Sequence, residues 1–198
     1  AGRTTYFLHR MGMDVIGIDI SRNLLSRAKE RFPYIDFRIG NAMQLDFPDQ
    51  EFDAVLFIAN GLDCLLPKEC REICLKEVHR VLKDDGLFLG SHHNLAAFPF
   101  AWHRMMRPWK LMFRAQNIFN GNYQKKECYL SHQKDSQGLP IYHCWPQVFI
   151  NDVQECGFTY MNSYPNSNIL FFIQNKLKLG ILTRLADPGP NYVFKKNA

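Results

Sequence analysis

Along roughly the first hundred residues, short apolar runs alternate with stretches whose apolar positions recur every three or four residues. Residues 14–19 (DVIGID) read as a buried strand, and Ser21 then offers an N-cap. Leu24, Leu25, Ala28 and Phe32 follow at helical spacing until Pro33 stops the helix. Residues 35–39 (IDFRI) and 53–58 (DAVLFI) are two further strands. Between the second of these and the next strand, Cys74, Leu75, Val78, Val81 and Leu82 form the stripe of an amphipathic helix. The turn at 83–86 (KDDG) ends that helix and releases a strand at 87–91. Strand–helix alternation of this kind predicts an α/β fold, a doubly wound and mostly parallel sheet with helices on both faces.

The rhythm breaks after Ser91. Residues 95–139 carry aromatic, methionine and basic side chains with no strand–helix pattern, which divides the chain into a core (1–94 and 140–198) and an inserted lid (95–139). Order returns where Pro146 opens a short helix with Phe149 and Val153 on its apolar face and Gly157 as C-terminal cap. Residues 158–164 and 191–196 read as closing strands, with a helical insertion at 168–186 between them.

Charge sharpens the view of the lid. Between Leu95 and Glu127, Arg104, Arg107, Lys110, Arg114, Lys125 and Lys126 face one acid, Glu127, so the segment holds the chain's whole excess of +5. Interleaved with them are Phe98, Phe100, Trp102, Met105, Met106, Trp109, Met112 and Phe113. Such a surface suits a bulky apolar or acidic small molecule, or peripheral contact with a membrane through 95–127. It also suits packing within the lid itself. The longest apolar runs, such as 169–173, are far too short to span a bilayer. No charged-then-apolar leader opens the sequence, and none of the six cysteines forms a C-x-x-C pair. The expectation is a cytoplasmic protein with buried, reduced cysteines and no metal site.

An open parallel sheet binds its ligand at the carboxyl ends of its strands, so the residues just past each strand carry the functional reading. The first strand ends in Asp19, with Ile20 beside it; a carboxylate there can accept hydrogen bonds from both hydroxyls of a ribose. The second ends in Gly40-Asn41-Ala42-Met43. Asn41 can meet an adenine edge, and the backbone of Ala42 and Met43 can read its ring nitrogens. The third runs into Ile58-Ala59-Asn60-Gly61, a small-residue loop at a pocket floor. The fourth is followed by His92, His93 and Asn94; His93 is a candidate base or orienting group and Asn94 a candidate anchor for an acceptor. Asp63 and Tyr142 are secondary candidates for the acceptor wall. Each has a plainer role open to it, as a cap, turn or strand-end residue.

The runs GIDIS, GNAMQLDFPDQEFDAVLF and LKEVHRVLKDDGLFLGS together resemble the core of the class I, Rossmann-like, S-adenosylmethionine-dependent methyltransferases. The resemblance implies S-adenosylmethionine as cofactor, Asp19 on its ribose, Asn41 on its adenine amino group, and an antiparallel last strand at 191–196. Asparagine stands where the family more often has aspartate, but its side-chain oxygen can accept the same bond. Ala1-Gly2-Arg3-Thr4-Thr5 resembles the last glycine of the family's glycine-rich loop and the head of the next helix. On that reading the first strand and most of the loop lie ahead of Ala1, and the sequence is a truncated piece of a longer protein. The implied chemistry is in-line displacement at a sulfonium methyl, where the protein aligns the nucleophile and excludes water. A base is needed only for a protonated acceptor. A small-molecule acceptor is the leading expectation. An RNA or protein acceptor is an alternative, although the charge is modest and no nucleic-acid module is visible; a non-catalytic, methyltransferase-like binding subunit is another. The acceptor atom and the oligomeric state are not legible.

Overall fold

A computed structural model of the chain describes residues 1–95, 127–134, 140–165 and 189–197. The aromatic and basic residues of the expected lid, from Phe98 to Lys126, and the helix expected at 168–186 lie outside the described residues. The chain forms two compact units, Ala1–Pro48 and Asp49–Ala198.

The first unit contains helix α1 (Arg3–Arg10), strand β1 (Ile16–Asp19), helix α2 (Arg22–Arg31) and strand β2 (Asp36–Ile39). Ser21 caps α2 as its position suggests: its Oγ accepts from the Leu24 N–H at 3.3 Å. Leu25, Ala28, Phe32, Ile35 and Phe37 form the unit's core, with Tyr6 packed against it. Leu24, expected on the same face, is 41% exposed. Strands β1 and β2 pair in parallel, Asp19 opposite Ile39, so both finish at the same edge.

The second unit runs through strand β3 (Phe52–Phe57), a 3-10 turn (Gly61–Cys64), helix α3 (Lys68–Val81), strand β4 (Leu82–Ser91), strands β5 (Glu127–Lys134) and β6 (Pro140–Cys144), helix α4 (Pro146–Glu155), and strands β7 (Phe158–Tyr164) and β8 (Asn191–Lys196). Its main sheet has the order β3-β4-β8-β7. Strands β3 and β4 are parallel, while β8 runs antiparallel to both β4 and β7, as the resemblance implies for the last strand. All of the expected α3 stripe is buried: Cys74, Leu75, Val78, Val81 and Leu82. Phe88, Phe158 and Phe194 are at most 1% exposed, with Phe88 packed against the other two. Lys196 threads its ammonium inward to donate to the Leu82 carbonyl at 2.8 Å.

Two boundaries differ from the sequence reading. The 83–86 turn does not separate helix from strand. Strand β4 already begins at Leu82, opposite Phe52, and 83–86 bulge out before pairing resumes at Ala54–Leu87, with Asp85 at φ 63°. More substantially, the expected limit of the lid at 139/140 falls inside an antiparallel hairpin, because β5 pairs with β6 from Glu127–Cys144 to Leu130–Ile141. The cysteines also differ from the expectation of burial throughout. Cys74 and Cys144 are buried and, like Cys70 and Cys156, form no disulfide, but Cys64 is exposed.

Candidate functional site

In the first unit, the expected nucleoside-binding residues gather at the carboxyl edge of β1 and β2. The Gly40 N–H donates to the Asp19 carbonyl at 3.2 Å, which binds the two strand ends together. Asp19 Oδ1 accepts from the Ser21 N–H at 2.8 Å, which orients the carboxylate, and its second oxygen remains for a ligand. Ile20 beside it is 70% exposed, an apolar side chain of the kind on which an adenine ring can rest. Asn41 Oδ1 accepts from the Met43 N–H at 3.0 Å, and the Gln44 N–H returns to the Asn41 carbonyl at 2.9 Å. This local turn is a habit of Asn after a strand, and in it the Met43 N–H holds the Asn41 side chain in place.

Gly2 caps α1 in the left-handed region, φ 73°, and a Cβ there would lie 2.7 Å from Phe37 Cζ. Only glycine fits this backbone and this close approach. Taken together, a carboxylate with one oxygen left to accept, an exposed apolar neighbour and a glycine-held helix start make an arrangement that fits an adenosyl group.

In the second unit, β3 and β4 deliver their carboxyl ends to one edge. Past β3 and Ile58, Ala59 and Asn60 both adopt φ 60°. Such conformations are uncommon outside glycine and concentrate at functional turns. The Asn60 N–H donates to Ser91 Oγ at 2.8 Å, so the loop after β3 is tied to the end of β4. The chain then enters the 3-10 turn, which places Asp63 inside the protein at 1% exposure.

Asp63 meets His93. One carboxylate oxygen, Oδ2, lies 2.5 Å from the His93 backbone nitrogen and 2.7 Å from Nδ1. Burial pushes the Asp63 carboxyl up, and the two His93 hydrogen bonds together with the charge of Arg71 oppose that rise. Arg71 is itself buried, its guanidinium carbon 3.8 Å above the Tyr142 ring and its Nη1–H donating to the Leu65 carbonyl at 3.2 Å. Tyr142 thus packs on Arg71. The His143 ring lies 4.8 Å from the His93 ring.

The three residues after β4 part company. His92, expected at the mouth of the site, is in the core. It is 0% exposed, stacked on Phe149 and Tyr192, with Nε2 at 3.0 Å from the Tyr192 hydroxyl and Nδ1 at 3.6 Å from Cys144 Sγ. Burial pushes its imidazole down to about 3, so it stays neutral. Asn94 is 2% exposed and forms a parallel bridge with Cys144. His93 alone keeps a partly exposed side chain, 28%. Sequence reasoning missed Ser91, Arg71 and His143, and it gave Asp63 only a wall position.

An α/β fold with ligand-facing residues at the carboxyl ends of parallel strands defines a class of nucleotide-cofactor proteins. Comparison with known proteins narrows the class. A family model described as a methyltransferase domain matches residues 1–86. A Synechocystis protein described as an uncharacterized methyltransferase is 37% identical over 87 residues, 44% of this chain and 40% of that protein. A demethylmenaquinone methyltransferase of Streptomyces griseus is 36% identical over 77 residues, 39% of this chain and 32% of that protein. The matches therefore span well under half the length of these relatives. Among solved structures, a Methanosarcina mazei S-adenosylmethionine-dependent methyltransferase superposes with a TM-score of 0.68 at 19% identity, covering 99% of this chain and 88% of that one. A didemethyltoxoflavin N1-methyltransferase of Burkholderia thailandensis gives 0.60 at 15% identity, covering 100% and 67%. Residues 1–86 match the methyltransferase-domain model, and the chain has the class I fold of the S-adenosylmethionine-dependent methyltransferases. S-adenosylmethionine is the cofactor of that family. No helix among the described residues is long and apolar enough to cross a membrane.

Proposed function

We propose that the protein transfers the methyl group of S-adenosylmethionine to a hydroxyl-bearing small molecule. The observation that carries this reading is the meeting of Asp19 and Asn41 at one strand edge, inside the stretch that matches the methyltransferase domain. Asp19 would hold the ribose through its free oxygen, Ile20 would support the adenine face, and Asn41 and the Ala42 backbone would read the adenine edge. Gly2, at the head of α1, lets the backbone approach the ligand closely. When bound, the cofactor supplies a sulfonium-activated methyl group, which leaves the protein the tasks of alignment, exclusion of water and proton removal.

Proton removal falls to His93. Its Nδ1 faces the Asp63 carboxylate, so its Nε2 is the ring nitrogen left for an acceptor. A base of this kind serves an acceptor that still holds its proton near neutrality, such as a phenol or enol, and adds nothing for a carboxylate. Asn94 is assigned to holding the strand end against Cys144, from which it supports the acceptor side of His93.

The test is transfer of tritiated methyl from S-adenosylmethionine to a metabolite extract, followed by identification of the labelled product. Label in a small hydroxyl-derived ether, or at carbon beside a phenolic hydroxyl, is the expected result. Label confined to RNA or protein, or failure to bind S-adenosylhomocysteine at all, would overturn the proposal.

A further inference from the structure

We infer that Asp63 is the positioning residue of His93: it holds the imidazole as the Nδ1–H tautomer and so presents Nε2 as the basic nitrogen. The inference rests on the proposed methyl transfer for its catalytic meaning, but its structural content stands on the second unit alone.

A buried carboxylate is costly, and Asp63 is 1% exposed. It is retained on a four-residue 3-10 turn between β3 and α3, 30 residues from the histidine it meets. A helix-capping or turn role would spend its oxygens on nearby backbone N–H groups, yet the bonds it accepts come from His93. Both donors converge on Oδ2. The backbone N–H fixes where the end of β4 lies relative to the turn, and the ring contact fixes how the imidazole is rotated. An ionised carboxylate can only accept, so the proton between them belongs to Nδ1. Arg71, buried on α3 and felt by Asp63 as a favourable charge, supports ionisation against the cost of burial. Without a carboxylate at this point, either ring nitrogen could carry the proton and a tautomer with Nε2–H could accept none.

The neighbouring imidazoles do not compete for the role. His92 contacts Tyr192 and Cys144 in the core, and His143 approaches His93 ring to ring. Among the described residues, Nε2 of His93 has no hydrogen-bond partner, and the 28% exposure of the side chain leaves it reachable. In the step this arrangement serves, the acceptor O–H gives its proton to His93 Nε2 as the new bond to the methyl carbon forms. The carbon–sulfur bond breaks with its electron pair staying on sulfur, and the imidazolium later returns the proton to water. Asp63 stabilises the transient imidazolium without taking the proton.

Nitrogen-15 NMR of the chain labelled at histidine reads the tautomer directly, with the His93 signals assigned by their loss in His93→Gln. The wild type should show a protonated Nδ1, protected from solvent exchange, and an unprotonated Nε2. Asp63→Ala should lose the protected Nδ1 proton and show averaged tautomers. It should bind S-adenosylhomocysteine as the wild type does, and transfer labelled methyl to the extract on the order of 100-fold more slowly. A wild-type His93 protonated at Nε2 overturns the inference, whether or not the variant folds. So does an Asp63→Ala protein that keeps the single Nδ1–H tautomer or the wild-type rate. Absence of S-adenosylhomocysteine binding by the wild type would instead overturn the methyltransferase reading, and the NMR result would still decide the role of Asp63.

Discussion

The assignment of His92 to the core rather than the site has a thermodynamic signature. Its imidazole is fully enclosed and stays neutral, with burial lowering its ionisation from 6.5 to about 3. In the unfolded chain the same group takes up a proton below about pH 6.5. The unfolded state therefore binds more protons throughout the interval between 3 and 6.5, and the stability owed to neutral His92 is present above that interval and lost as pH falls through it. The linkage relation gives a loss of about 2 kcal/mol from this one group between about pH 7.5 and about pH 5. His92→Phe keeps a ring against Phe149 and Tyr192 but does not titrate. At neutral pH it should be less stable than the wild type by about 1–3 kcal/mol, because the Tyr192 hydroxyl loses its partner at Nε2. On acidification the gap should close by about 2 kcal/mol, since only the wild type has this proton to gain on unfolding. Other shifted groups, His79 downward and Asp63 upward, titrate in both proteins and cancel in the difference. Urea unfolding followed by circular dichroism at several pH values measures the gap. A gap that stays constant with pH would show that His92 is solvated and ionisable in the folded state, and the core assignment would fail.

Two further outcomes follow from the described geometry. Asp19→Ala should weaken S-adenosylhomocysteine binding by about 1–3 kcal/mol in titration calorimetry, with Asp19→Asn milder, because ribose hydroxyls lose a charged acceptor; unchanged affinity would remove Asp19 from the site. Gly157→Ala should lower stability by about 1–3 kcal/mol, since φ is 94° and the new Cβ would sit 2.8 Å from His79 Nε2; an unchanged thermal midpoint would refute the strain argument.

The parts of the fold that read correctly from sequence are those fixed by short-range chemistry. Ser21 stands immediately before an apolar stripe, and its hydroxyl does accept from the Leu24 N–H. Pro146 sits at the first position of α4, and Gly157 turns the chain beyond its end with a positive φ. The β5–β6 hairpin was missed because pairing is non-local and its strands carry polar residues in both alternating sets. A usable signal did exist: Asp135, Ser136 and Gly138 are turn formers lying between two runs of strand length.

The site divides along the same line. The places of Asp19 and Asn41 at the ends of β1 and β2 were legible because strand ends can be read from position along the chain. The pairing of Asp63 with His93 was not, because no spacing rule connects a 3-10 turn to a strand end 30 residues away. Yet half of that answer lay in the period of two. In β4 and its extension, Phe88 and Gly90 face the sheet's packed side, and continuing the alternation sends His92 and Asn94 to that side as well, at 0% and 2% exposure. His93 falls on the opposite face, where a carboxylate can reach it and a ligand can too. Three adjacent polar residues thus looked equivalent as a motif, yet His92 and Asn94 are buried while His93 keeps 28% exposure.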